Sequence, residues 1–250
     1  MLFPQGHLRR AFVQLADIQS ADFDIVGYLG TLARCNVDVL GVTASGVLLT
    51  DHTGASDLVA ATSEQTRALE LQQLRNDEGP GLDARRSGTT VRCPDLAADD
   101  RWPTFTQAAL AAGFAAVHTL PMRLNNLTIG AVDLFSARSG SLCAEAAEIG
   151  QTLADVATIS VLNERATCRQ EALARQLQTA LSSRVVIEQA KGVLAERLHL
   201  AVTDAFSVLR GYARSHNAVL ADVAQAVVHG RLSITPPLPR PRLPRSPDAA

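Results

Sequence analysis

Lysine is almost missing from this chain: of 23 basic residues all but Lys191 are arginine. An ammonium on a flexible stem differs from a guanidinium fork in hydration, reach and donor geometry, so Lys191 marks either a requirement or a chance survival. Long apolar runs are also lacking, and none approaches the ~18 residues of a membrane span. The opening Met1-Leu2-Phe3-Pro4-Gln5-Gly6 lacks the layout of a secretory signal, so a cytoplasmic protein with no membrane partner is expected. Cys35, Cys93, Cys143 and Cys168 form no Cys-x-x-Cys pair, which argues against a disulfide framework and a thiolate metal site and for reduced structural residues. His7, His52, His118, His199, His216 and His229 are scattered, and there is no His-Glu-x-x-His helix, nucleophile elbow or Walker loop. Gly79-Pro80-Gly81 reads as a turn, and Asp95, Asp99 and Asp100 as a polar loop without ligand spacing. These absences point away from an enzyme and call for no metal or cofactor.

What the chain does contain is ordinary globular composition, 47% hydrophobic and 19% charged, with its charge divided unevenly. Residues 1–150 carry 11 arginines against 17 carboxylates, net −6, whereas residues 151–250 carry 12 basic against 8 acidic groups, net +4. A basic C-terminal half suits a polyanionic partner, or simply a solvated charged surface.

Between residues 151 and 191 there is neither glycine nor proline, which predicts one long helix. Ile149, Leu153, Val156 and Ile159, then Leu173, Leu177 and Leu181, recur at three- and four-residue spacing and suit a dimeric coiled coil interrupted by a polar stretch. The alternative is a helix lying on its own domain. At roughly 100° per residue, Arg184, Glu188 and Lys191 continue the leucine stripe, while Val186, Ile187, Ala190, Val193 and Leu194 point elsewhere. The apolar face therefore switches partners near Ser183 and leaves the charged line exposed. Two short helices follow. Thr203 is the expected N-cap of the first, with Asp204 at its positive end, Ala205, Phe206, Leu209, Tyr212 and Ala213 on its apolar face and Arg210 and Arg214 opposite. Leu220, Val223, Ala224, Val227 and Val228 define the second, with Gly230 placed to end it. Residues 233–250 hold six of the eleven prolines and three arginines, and are expected to be disordered.

The N-terminal half reads as mixed structure. Residues 37–42, 46–50, 58–62, 115–120 and 127–135 resemble strands, with turn signals at Ser45-Gly46, Asp51-His52-Thr53-Gly54 and Asn125-Asn126, and 63–74 and 103–112 resemble helices. An α+β domain with an antiparallel sheet fits this order.

The run 181–196, followed by Asp204-Ala205-Phe206, Leu209-Arg210 and Asp222-Val223-Ala224, closely resembles the ANTAR domain over about 60 residues. The resemblance implies an RNA-binding transcription antiterminator: a three-helix domain, dimerised through an upstream coiled coil, that holds paired small hairpins in a leader transcript and prevents terminator formation. Leu69 to Leu74, Glu78 to Ala84, Asp95-Leu96, Trp102-Pro103, Gly113-Phe114 and Leu120 to Leu124 look like the GAF domains that precede ANTAR domains in actinobacterial regulators. Such relatives commonly carry cysteine after Gly-Pro. Here the residue is Gly81, so thiol-dependent sensing at that position is unavailable.

The expected organisation is a GAF-like sensor over 8–162, a linker helix or coiled coil over 149–184, an ANTAR domain over 170–232 and a tail over 233–250. RNA hairpins call for cationic donors on a rigid exposed face. Lys191, Arg184, Arg210 and Arg214 supply them, with Glu188 in the same line. Gly192 serves either close approach of RNA or tight helix packing. Asn217 contacts a base edge or forms a turn. Arg197 and Arg231 read as ordinary surface charges, and Phe206 as core. Leu153, Val156, Ile159, Leu173, Leu177 and Leu181 are assigned to a homodimer seam. Trp102, Phe105 and Phe114 either line a GAF pocket for an unknown small ligand or protein partner, or form core. Two other functions compete: a helix-turn-helix that reads duplex DNA, and a ligand sensor acting only through protein contacts.

Overall fold

The computed structural model describes residues 5–16, 24–50 and 57–234. The turn expected at Asp51-His52-Thr53-Gly54 and the expected disorder beyond residue 234 lie outside the described residues. The chain divides into two units, Met1–Cys168 and Arg169–Ala250.

The first unit is α+β. Five strands, β1 (Ala44–Thr50), β2 (Asp57–Ala61), β3 (Val91–Cys93), β4 (Ala116–Leu124) and β5 (Leu127–Ser136), form one antiparallel sheet in the order β2-β1-β5-β4-β3. Strand alternation sends side chains to two faces, and both are covered by helices. Val47, Leu49, Leu120, Met122, Val132 and Leu134 pack with α1 (Gln5–Ala16), α2 (Ile25–Leu40) and the first turns of α6 (Ala144–Leu198). On the opposite face Val117 and Phe135 meet Leu69 of α3 (Glu64–Asn76) and Phe105 and Ala109 of α5 (Pro103–Ala111), while Leu48 and Val59 meet Leu82 of α4 (Pro80–Ser87). Each fully buried leucine contributes about 1.5–3 kcal/mol, so both layers hold the sheet.

Local signals explain the boundaries. Asp24 caps α2 by accepting from the Val26 amide, and Gly41 ends it at φ 68°. Of the run 37–42, expected as a strand, residues 37–40 are instead the last turn of α2, where Val39 and Leu40 continue the buried stripe of Leu32, Ala33 and Asn36, and Gly41 ends the helix. Tertiary packing overrides β propensity here. Ser63 caps α3 through the Thr66 amide. Gly79-Pro80-Gly81, expected as a turn, opens α4, with proline at a position where the helix needs no amide donor.

His118 on β4 faces the α2 side beside Leu120 and is buried, its Nε2 without a hydrogen-bond partner among the described residues. Burial first, then the charge of Arg92 opposite it on β3, lowers its pKa to about 4. The imidazole must therefore stay neutral in the fold. A lowered folded-state value gives stability that is present above the unfolded value near 6.5 and lost as pH falls through 4. Acid should cost this unit on the order of 3 kcal/mol through His118 alone. His118→Leu is expected to remove that part of the slope in thermal melts between those pH values, and an unchanged slope would contradict the assignment.

The second unit is three helices: the C-terminal part of α6, α7 (Val202–Ser215) and α8 (Leu220–Val228). Ala190 and Leu194 of α6, Ala205, Leu209 and Ala213 of α7, and Val223, Ala224 and Val227 of α8 form its core, flanked by Val186, Ile187 and Val193. The face switch read near Ser183 corresponds to this packing. The expected cap Thr203 lies inside α7, which starts one residue earlier after Ala201 and has no side-chain cap; Asp204 occupies the first turn. Gly230 follows α8 at φ 70°.

Candidate nucleic-acid interface

On α7 the buried row Ala205, Leu209 and Ala213 fixes the outward row Phe206, Arg210 and Arg214, because residues four apart share a helix face. Arg210 and Arg214 are exposed, about 6 Å apart along the axis. Among the described residues neither pairs with a carboxylate. With Ala213, Asn217, Ala218, Val219 and Leu220 they line an open cleft of about 480 Å³. Asn217 holds the α7–α8 turn in the left-handed region at φ 48°, its amide donating to the Arg214 carbonyl. It thus forms the turn and also lines the cleft. Val219, which lines the same cleft, is 65% exposed and was not anticipated from sequence.

Lys191 departs from the expected exposed line. Its Nζ lies 2.9 and 2.8 Å from the two Glu188 carboxylate oxygens and 5.7 Å over the ring of Phe206, leaving the side chain 18% exposed. Phe206 is accordingly a half-buried platform under Lys191, not the centre of the core. The ammonium is held rather than mobile, and it orients Glu188, an acceptor that can face exocyclic amines of bases. Arg184 is exposed. At Gly192 an added methyl would meet nothing within 4 Å. Packing within the chain does not need a glycine there, although glycine in a helix interior costs about 0.5–1 kcal/mol relative to alanine.

The seam residues divide. Leu153 is fully buried in the core of the first unit and leaves no face for another chain, while Val156 is partly buried against the same core, because the first turns of α6 cover the sheet. Ile159 is exposed, and Leu173, Leu177 and Leu181 are 56%, 57% and 66% exposed.

A family model for the ANTAR domain matches residues 175–228. One for the GAF domain matches residues 30–161, more than half of the chain. The chain belongs to the GAF domain family. Solved structures agree on the fold. The GAF domain of an Acinetobacter phosphoenolpyruvate-protein phosphotransferase is 14% identical at TM-score 0.51, covering 65% of this chain and 94% of that one. The GAF domain of a phosphoenolpyruvate-protein phosphotransferase from Coxiella burnetii is 12% identical at TM-score 0.50, covering 66% and 96%. Among curated proteins no relative matches.

Inside this GAF domain the aromatic residues proposed to line a pocket are core. Trp102 and Phe105 meet edge to face at 6.3 Å, Phe114 lies 4.8 Å from Phe135, and all are buried. The Trp102 indole N–H donates to Asp83 at 2.9 Å. Asp95 and Asp99 serve as local caps, accepting from the amides of Ala97 and Arg101. Among the described residues no three His, Cys, Asp or Glu side chains are grouped to hold a metal. Among the described residues no two cysteines form a disulfide; Cys35 and Cys93 are buried, and Cys143 and Cys168 are exposed, the Cys168 thiol donating to Glu164 at 3.3 Å.

A polar cluster occupies the space beside Gly81. Gln73 donates to Glu70 at 2.9 Å and to Asp133 at 2.7 Å and accepts the Gly81 amide at 2.8 Å, while Thr119 donates to Asp133 at 2.5 Å. Burial raises both carboxyls, Glu70 far above the usual range with Asp133 adding to it. Two buried carboxyls cannot both ionise. Asp133 accepts from two donors, which offset part of its burial, so Glu70 is the carboxyl pushed further toward its protonated form. A Cβ at Gly81 would sit 2.8 Å from Asp133 Oδ2 and from Leu48 Cδ1, so any larger residue there would have to displace the ends of those two side chains. An Asp inside the apolar strand Ala131-Val132-Asp133-Leu134-Phe135 was the sequence signal for it.

Proposed function

We propose that the chain is a dimeric RNA-binding transcription antitermination regulator, in which paired ANTAR domains hold small hairpins of a leader transcript and the GAF domain receives a small ligand or protein partner. It assigns no catalytic step to any residue. The observation that carries this reading is the exposed Arg210 and Arg214 beside a cleft, unpaired among the described residues and within the segment matched by the ANTAR model. Two like charges four residues apart cost α7 a few tenths of a kcal/mol, and an anion such as phosphate would offset that. The exposed leucines of α6 support dimerisation through a second copy of the same helix, which would bury them. The seam in this reading begins at Ile159 and excludes Leu153 and Val156.

The test is a competition between hairpin RNA and duplex DNA for the full chain at fixed salt. Preference for hairpin RNA is expected; preference for DNA would replace the reading with a helix-turn-helix, and no binding to either would leave a sensor acting through protein contacts. Gly192→Ala belongs in the same experiment. It is expected to stabilise its unit by about 0.5–1 kcal/mol in thermal melts, because the methyl has open space, yet to bind RNA more weakly where the backbone must come close. Equal or tighter binding would remove Gly192 from the interface.

A further inference from the structure

Next to the cleft the end of α7 carries a feature that charge alone does not explain. The rings of Tyr212 and His216 stack at 3.9 Å with 17° between planes. Tyr212 is half-buried against the core of the second unit. His216 is exposed. Its Nδ1 lies 3.0 Å from the Tyr212 carbonyl and 2.9 Å from the Ser215 hydroxyl, so the ring is fixed by hydrogen bonds as well as by stacking. On either side in sequence stand Arg214 and Asn217, both lining the cleft. The arrangement is a two-ring stack rooted in the core and open to solvent at its outer face, flanked by a guanidinium and an amide.

We infer that His216 is a stacking platform for an unpaired base of the RNA loop. The inference rests on the RNA-binding reading and deepens it: Arg210 and Arg214 meet phosphates, whereas His216 selects single-stranded bases from paired ones. Every base presents a π-face once it leaves the helix, and proteins that bind unpaired RNA supply aromatic rings for it. A rigid ring suits that role better than a mobile one, since no side-chain freedom is lost on contact. In a duplex the base faces are already stacked, so the platform has no partner there.

The experiment uses the full chain and two synthetic probes: a pool of RNA hairpins with a constant stem and randomised loop, and a loopless RNA duplex of the same stem sequence. His216→Ala is expected to lower affinity for the hairpin pool about tenfold to a hundredfold, His216→Phe to retain it, and neither to change affinity for the duplex. His216→Leu keeps an apolar group against Tyr212 without a π-face; it should fold as the native chain does and bind the pool as weakly as the alanine variant. If the native chain binds the pool and His216→Ala or His216→Leu binds it equally well, the platform is refuted while the RNA reading stands. A loss of equal size on the duplex refutes it too, by showing a general role at the helix end. If the native chain binds neither probe, the RNA reading falls and takes the platform with it.

Discussion

A chain carrying both Arg210→Ala and Arg214→Ala is expected to bind hairpin RNA about a hundredfold more weakly at physiological salt, with its melting temperature unchanged or slightly raised. Both side chains are exposed and, among the described residues, unpaired, so their removal takes away no contact that the fold uses. What it removes is counterion release. The slope of log affinity against log salt should become shallower by roughly 1.5 to 2, the value for two lost phosphate contacts. Binding measured over a salt series reads both quantities. A large affinity loss with an unchanged slope would mean that the arginines read bases, and an unchanged affinity would place the RNA elsewhere.

Gly130→Ala should have the largest effect on the first unit. Gly130 pairs with Leu49 between β5 and β1, and an added Cβ would lie 2.2 Å from the Leu48 carbonyl oxygen and 3.2 Å from the Leu49 Cα. Those atoms are backbone of a strand buried on both faces, so the clash cannot be relieved by a rotamer change. The expected cost is at least about 3 kcal/mol. Trp102, the single tryptophan, is buried in this unit and reports its unfolding by fluorescence. A denaturant midpoint equal to that of the native chain would contradict the strand register. The contrast with Gly192, where the same substitution meets open space, separates a glycine required by packing from one free of it.

Much of this was legible in sequence. The glycine- and proline-free stretch does form a helix, longer than read, and Ser63, Pro103 and Asn125-Asn126 mark real boundaries. Periodicity placed Ala190, Leu194, Leu209 and Val227 inward because a three-helix unit must bury one stripe from each helix. It failed where two partners compete for a face: Leu153 and Val156 have seam spacing, but the sheet covers them first. Residues 37–42 were misread because β-branched composition is a weaker signal than the packing that extends α2 to Leu40. The buried Glu70, Gln73 and Asp133 cluster joins positions 60 residues apart, and the approach of Lys191 to Phe206 joins two helices. Beyond the lone Asp133 in an apolar strand, no local pattern encodes either pairing.

The most direct measurement is to irradiate the full chain with its RNA in ultraviolet light, then sequence the attached RNAs and locate the attached peptides by mass spectrometry. The account predicts hairpin loops from transcript leaders joined to peptides spanning residues 184–219, above all at Arg210, Arg214 and His216. Attachment confined to the first unit, or no RNA retained at all, would contradict it.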